Sequence, residues 1–228
     1  MATRTLNIIG CGRVGRALAR LWAQDGTVAL QDVLDRGLEQ SQAAVAFIGQ
    51  GRAVDAVGQM RGAEAWMLTP PDDQIIACCT ALAASGLLTA GNIVFHCSGA
   101  LPSRDLAPAA ACGAVVASVH PLKSFADPAV AARTFDDTYC AAEGDAAALA
   151  VLRPAFERIG GSVSEIEPGF KTIYHAASVI ICNYLTALLE TGLRCYEKSG
   201  FERETANRGR KLPAKRRSLS RTRKMPTK

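Results

Sequence analysis

Three histidines occur in this 228-residue chain, and each stands where a catalytic group would be useful. His96 precedes Cys97-Ser98-Gly99-Ala100, His120 precedes Pro121-Leu122-Lys123, and His175 follows Lys171 by four residues. The first two close short apolar runs that read as strands, and in open α/β sheets ligands gather at the carboxyl ends of strands. The third shares a helix face with Lys171, since residues four apart are neighbours on that surface. Imidazole gives or takes a proton near neutral pH and ammonium stabilises developing negative charge, so the chemistry on offer is proton transfer. No metal is expected, because no acid or cysteine joins the histidines at ligand spacing. Each histidine also has a plain reading as a hydrogen-bonded structural residue, and Lys171 as a surface lysine at a helix start.

A glycine loop indicates what such proton transfer would accompany. Residues 5–9 form a strand-like run that enters Gly10-Cys11-Gly12-Arg13-Val14-Gly15, and a helical stretch follows at once. In that setting GxGxxG binds a dinucleotide. Gly10 permits the tight turn, Gly12 lets a pyrophosphate approach the backbone, and Gly15 allows close helix–strand packing. The helix N-terminus supplies free N–H groups and a positive dipole end. About twenty residues further on, Asp35 and Arg36 fall where the second strand meets the adenosine ribose. A carboxylate there suits the free 2′-hydroxyl of NAD, whereas Arg36 suits the 2′-phosphate of NADP. Asp32 is a third candidate if the strand ends early. The cofactor is therefore read as NADP or NAD.

These residues need a scaffold, and the apolar pattern supplies one. Strands are expected at 6–9, 28–34, 65–68, 92–96, 114–119, 138–142 and 162–166. Helices are expected at 14–24, 37–48, 74–85 and 146–159. Short apolar strands alternating with helices predict an α/β fold with a Rossmann-like, doubly wound parallel sheet. The strand at 65–68 ends in Thr69-Pro70-Pro71-Asp72, which places Thr69 and Pro70 beside the glycine loop. From 171 to 199 the pattern is one long helix, apolar around much of its surface, which needs partners on several sides. The expected organisation is a nucleotide-binding domain over 1–167, the start of an all-helical domain over 168–206, and a basic tail over 207–228.

The charge of the chain is unevenly placed. It carries 26 Lys and Arg against 21 Asp and Glu, but 11 of the basic residues lie from Arg203 onward. The preceding body is acidic on balance, which removes a general case for nucleic-acid binding. The tail has too few apolar side chains to bury a core and is expected to be solvated. A basic arm for RNA or a membrane surface is a second reading of it, and a shift of reading frame near residue 206 a third. No apolar run is expected to reach bilayer length, the start does not read as a signal peptide, and the eight cysteines, none in a CxxC pair, read as free thiols. Cytoplasm follows as the expected location.

Taken together, GCGRVGRAL, the TPPD turn, HCSGAL at 96–101, SVHPLKSF at 118–125 and KTIYHAASVIICNYL at 171–185 resemble a group of bacterial Rossmann-like oxidoreductases with a helical C-terminal domain of unknown function. That group is similar in layout to ketopantoate reductase, pyrroline-5-carboxylate reductase and the β-hydroxyacid dehydrogenases. The resemblance covers residues 5 to about 205, and the helical domain of such proteins runs on further than this one does. It implies hydride transfer to or from a small polar metabolite such as a keto acid or imine. Lys171 would be the electrostatic or acid group and His175 its partner. His120 and Ser98 would line the nicotinamide side, with His96 near the cofactor and Asn183 orienting substrate. It also implies a homodimer through the helical domain. The alternatives are a dinucleotide-binding sensor or scaffold without turnover, and an inactive, truncated member of the group.

Overall fold

The computed structural model describes residues 4–209, and the expectations for the basic tail beyond Gly209 lie outside the described residues. The chain divides into two compact units, Met1–Ala177 and the residues from Ser178 onward. The first unit is built on one eight-stranded sheet. Its elements in order are β1 (Arg4–Ile9), α1 (Arg13–Asp25), β2 (Val28–Leu34), α2 (Leu38–Ile48), β3 (Arg52–Val54), β4 (Ala65–Leu68), α3 (Ile75–Ala84), β5 (Ile93–His96), α4 (Ala107–Ala111), β6 (Val115–Pro121), α5 (Pro128–Arg133), β7 (Thr138–Gly144), α6 (Ala146–Arg158) and β8 (Gly161–Glu165). The strand order is β3-β2-β1-β4-β5-β6-β7-β8, so the winding reverses between β1 and β4. That switch point is where α/β sheets open a crevice for ligands.

Helices cover both faces. On one, Trp22 of α1 and Phe156 of α6 meet edge to face at 5.1 Å, and both reach Phe95 of β5 at 6.4 Å. The Trp22 indole N–H donates to the Ala155 carbonyl at 2.8 Å, so the ring is buried with its one polar atom satisfied. On the other face Trp66, Ile75, Leu82 and Leu106 pack together under α3 and α4. Strands buried from both sides explain why β4 and β5 are apolar at nearly every position.

The sheet is mixed rather than wholly parallel, which corrects the expected doubly parallel winding at one place. β6 and β7 run antiparallel, with His120 opposite Ala141 and Pro121 opposite Cys140. The intervening residues 122–137 hold only the short α5, which packs by Ala131 and Ala132 on Ala17 of α1. A parallel return needs a crossover that carries the chain back along the sheet, as α6 does between β7 and β8, and the short α5 does not span it. It turns back at the carboxyl end instead. β3, at the opposite edge, was not anticipated at all: three residues carry too little alternation to show.

The long helix begins in the first unit and continues into the second as α7 (Lys171–Val179), a π-helical turn (Ile180–Tyr184) and α8 (Leu185–Lys198). The expected boundary at 168 is thus shifted to Ala177, because the first turns of the helix are tied to the sheet through Lys171 and Tyr174. In the second unit α9 (Arg203–Gly209) folds back on α8: Arg203 pairs with Glu190 and Glu197, Tyr196 meets Phe201, and Leu193 and Ala206 are buried. Residues 207–209, expected to open the tail, close this helix. By length and composition alone Pro168–Lys198 reaches what a membrane span requires, contrary to the expectation of no such run. A single helix of this kind is weak ground for a membrane reading, and its start is bonded into the sheet unit.

Candidate active site

The glycine loop forms because three strands end together. Gly10 adopts φ 76°, and a Cβ there would lie 2.3 Å from the Pro70 nitrogen. Only glycine meets both conditions. Its N–H donates to the Leu34 carbonyl at 2.8 Å, and the Thr69 hydroxyl donates to the Gly10 carbonyl at 2.8 Å. The loop is thereby pinned to the ends of β2 and β4. Gly12 then caps α1, which has no side-chain cap and no acid in its first turn. Its leading N–H groups are left for an anion. The space above is open, since a Cβ on Gly12 would meet nothing nearer than the Thr69 carbonyl at 3.6 Å.

A cavity of about 850 Å³ lies over this loop, lined among others by Gly10, Gly12, Arg13, Asp35, Arg36, Thr69 and Pro70. A recess of about 70 Å³ continues from Thr69 and Pro70 to Val14, Asp72, Cys97 and Ser98. Nine of the residues singled out from the sequence are therefore brought to two adjoining hollows that share Thr69 and Pro70. Cys11 and Gly15 are buried and line neither space. Burial, with the negative charge of Asp35 adding to it, pushes the Cys11 thiol up to about 12, so it is no nucleophile at neutral pH. Asp32 does not meet the ribose. It is wholly buried between Arg52 at 2.9 Å and Arg61 at 2.8 Å, beside β3. Burial raises its pKa, but the hydrogen bonds from Arg61 and Arg52 outweigh this and hold the carboxyl below its usual value.

The histidines lie further along the carboxyl edge and differ among themselves. His96 is fully buried; its Nδ1 accepts from the Ser98 N–H at 3.2 Å and its Nε2 lies 3.4 Å from the Pro102 carbonyl. It braces the 97–102 loop and, like His120 and His175, lines neither hollow. Ser98 reaches the recess while its hydroxyl donates to Asp72 at 2.7 Å and accepts from the N–H groups of Ala100 and Leu101 at 3.1 Å. Both other imidazoles press on Gly99. A Cβ at that glycine would stand 2.6 Å from His175 Nδ1 and 2.9 Å from His120 Nε2. His120 Nδ1 is 3.0 Å from the Tyr174 hydroxyl. His175 Nδ1 is buried without a hydrogen-bond partner among the described residues. Burial and then the Lys171 and His175 charges lower the His120 pKa to about 4, and burial does the same at His96.

Lys171 departs most from expectation. Its side chain is buried, and Nζ donates to the Ser118 hydroxyl at 2.6 Å instead of facing the hollow. Burial lowers its pKa, opposed chiefly by the nearby negative charge of Glu143. Glu143, itself buried, accepts from the N–H and hydroxyl of Ser103 at 2.7 and 2.6 Å. Lys171 thus anchors the helix that carries Tyr174 and His175. Tyr174 and Ser118 were missed in the sequence, although both stand inside quoted motifs. Nothing local marks either one, since each gains its role from a partner more than fifty positions away. Asn183 is exposed in the π-helical turn of the second unit.

Comparison with known proteins fits this architecture. A Rossmann-like domain matches residues 2–121. The chain belongs to that family. A domain of unknown function, DUF2520, matches residues 138–212. Among curated proteins none matches the sequence. The Thermotoga maritima protein TM1727 is 25% identical, with a TM-score of 0.66 over 86% of this chain and 71% of its own. Pyrroline carboxylate reductase from Plasmodium falciparum, solved with NADP, is 15% identical, with a TM-score of 0.64 over 91% of this chain and 74% of its own. Prephenate dehydrogenase from A. aeolicus, solved with NAD+ and hydroxyphenyl propionate, is 15% identical, with a TM-score of 0.66 over 93% and 80%. The chain thus shares its fold with these three solved proteins.

Proposed function

We propose that the chain is an NAD(P)-dependent oxidoreductase acting on a small polar metabolite with a carbonyl or imine group, or the corresponding alcohol or amine. The observation that carries this is the pair of adjoining hollows sharing Thr69 and Pro70, which extend from Asp35 and Arg36 across an uncapped helix N-terminus to Ser98, with His120 against the next residue, Gly99. The residues fit a dinucleotide: space is open above Gly12, and the volume falls within the range of cofactor sites, roughly 300–1,000 Å³. Bound there, a nicotinamide dinucleotide supplies or takes the hydride. Gly10, Gly12 and the first turn of α1 would hold its pyrophosphate, and Asp35 and Arg36 would meet the ribose.

The protein's own part is to manage charge and protons at the reacting carbon. With a pKa of about 4, His120 is neutral at pH 7. A neutral imidazole polarises a carbonyl by donating a hydrogen bond from one ring nitrogen, while the proton that completes the alcohol is drawn from solvent and returns to solvent in the reverse direction. The Tyr174 hydroxyl on Nδ1 orients the ring and fixes which nitrogen is available. His175 Nδ1, without a hydrogen-bond partner among the described residues, is the second group to turn toward a bound substrate. Lys171 acts from behind, through Ser118 and its positive field, and does not touch the substrate.

The test is consumption of NADPH or NADH with a panel of keto acids, aldehydes and imines. Turnover of at least one is expected. A protein that binds dinucleotide but turns over none would be a sensor or scaffold instead. A second copy of the chain is proposed to cover the helical segment, where Ile173, Ile181, Leu185 and Leu188 are exposed on a single chain. Light scattering at twice the chain mass supports that pairing. A monomer that floats with lipid vesicles would replace it with a membrane surface.

A further inference from the structure

The end of β2 presents two opposite charges to the cavity, and the structure treats them differently. Asp35 is turned back onto its own loop. One carboxylate oxygen accepts from the Arg36 N–H at 2.8 Å, and the other faces the Arg16 guanidinium at 4.0 Å. Its side chain is only 12% exposed before any ligand arrives. The loop is fixed from beneath as well: the Asp35 N–H donates to the Ser41 hydroxyl at 2.8 Å, and that hydroxyl donates to the Gly37 carbonyl at 3.1 Å. Arg16 is equally occupied, donating to the Cys11 carbonyl at 3.0 Å and the Gln40 carbonyl at 3.4 Å. These two charges answer each other within the wall.

Arg36 is the contrary case. It lines the cavity and is exposed, and its guanidinium makes no hydrogen bond or ion pair among the described residues. Arg13, on the glycine loop, is in the same condition but stands where the pyrophosphate common to both cofactors would lie. Asp55 is the other acid on the wall, past the end of β3. With Arg16 and Asp35 offsetting each other, Arg13 and Arg36 outweigh Asp55 by one positive charge. A free planar guanidinium beside an engaged carboxylate is a receptor for a phosphate, not for a pair of ribose hydroxyls.

We propose that this chain selects NADP(H) over NAD(H), with Arg36 as the group that recognises the 2′-phosphate. The inference rests on the dinucleotide reading above and goes beyond it by naming the cofactor and the residue that decides it. Charge-assisted hydrogen bonds to phosphate contribute enough to set a preference of roughly ten- to a hundredfold. Because Arg36 is exposed, the preference also shrinks as salt rises.

The experiment is a fluorescence titration of the whole protein with NADPH and NADH, repeated on Arg36→Ala and with 2′,5′-ADP and 5′-AMP as competitors. The expected result is tighter binding of NADPH by the parent, displaced by 2′,5′-ADP at far lower concentration than by 5′-AMP. In Arg36→Ala the NADPH affinity falls by roughly ten- to a hundredfold and the preference over NADH is lost. Equal or tighter binding of NADH by the parent overturns the inference and leaves the dinucleotide site standing. A parental preference for NADPH that survives in Arg36→Ala overturns the assignment to Arg36. Binding of neither by a folded protein, as judged by circular dichroism, removes the dinucleotide site and the inference with it.

Discussion

At the Arg36 end of the site the binding groups stand free, whereas around Ser98 and the neighbouring His120 the side chains are largely bonded to one another. Arg36, Arg13 and the first turn of α1 have nothing to release before they take a ligand. Ser98, Ser118, Lys171 and His120 each already have a protein partner. The contrast follows from what each end must do. Holding an anion needs charge and donors that are open to it, and the cost of leaving them in water is small. Moving a proton needs a ring whose angle is fixed in advance, and fixing it requires packing and hydrogen bonds. One end is therefore tested through affinity and the other through stability and pH.

The largest effect is expected at the free end. Gly10→Val puts a β-branched side chain at φ 76° and a Cβ 2.3 Å from the Pro70 nitrogen. NADPH binding should disappear in a fluorescence titration, and the urea midpoint should fall by the equivalent of about 2–4 kcal/mol. Retained binding would mean that the loop is not the cradle.

The packed end should show itself through acid. His96 and His120 have folded pKa values of about 4, below the ordinary histidine value of about 6.5 that they regain on unfolding. Between those values the unfolded chain binds more protons, so stability is complete above about pH 6.5 and is lost as pH falls toward 4. The fully buried His96 accounts for about 3 kcal/mol of this. Urea midpoints taken from pH 7.5 to 4 should trace that decline, and a flat profile would contradict the burial of both rings.

Three substitutions on the long helix then separate packing from chemistry. Lys171→Ala should cost about 2–3 kcal/mol through the cavity it leaves. Lys171→Met, which refills that space without a charge, should cost less than about 1 kcal/mol in the same denaturation assay. Equal losses would show that the ammonium, not the methylene chain, holds the helix down. The smallest structural effect belongs to Tyr174→Phe. It should leave NADPH affinity intact, slow turnover on the order of tenfold and displace the pH–rate profile, because the His120 ring loses its orienting hydroxyl. An unchanged profile would leave Tyr174 with packing alone.

The free end was legible in the sequence because its determinants are local. Six consecutive residues define the glycine loop, and Asp35 and Arg36 follow at a spacing set by one helix and one strand. The scaffold was legible for the same reason: β2 and β4 fall on the expected residues, since buried strands between helices leave apolar runs. The packed end was only half legible. His120 and His175 could be picked out by position, but their meeting over Gly99 depends on a fold that brings 99, 120 and 175 together. Lys171 misled because a lysine at a helix start is ordinarily at the surface, and only the Ser118 hydroxyl and the charge of Glu143 make its burial tolerable. The reversal of β7 was invisible because strand direction is decided by the connection, and the connection contains only the short α5.

That reversal has an evolutionary reach. Because β6 and β7 turn back at the ligand edge, residues 122–137 enter and leave on the same side of the sheet, and Pro128 reaches the wall of the hollow. A stretch attached in this way can be lengthened, shortened or exchanged between relatives without disturbing strand order or severing the cradle. Here the scaffold carries a replaceable cassette, and descendants of this fold could change what they act upon by rewriting that one segment.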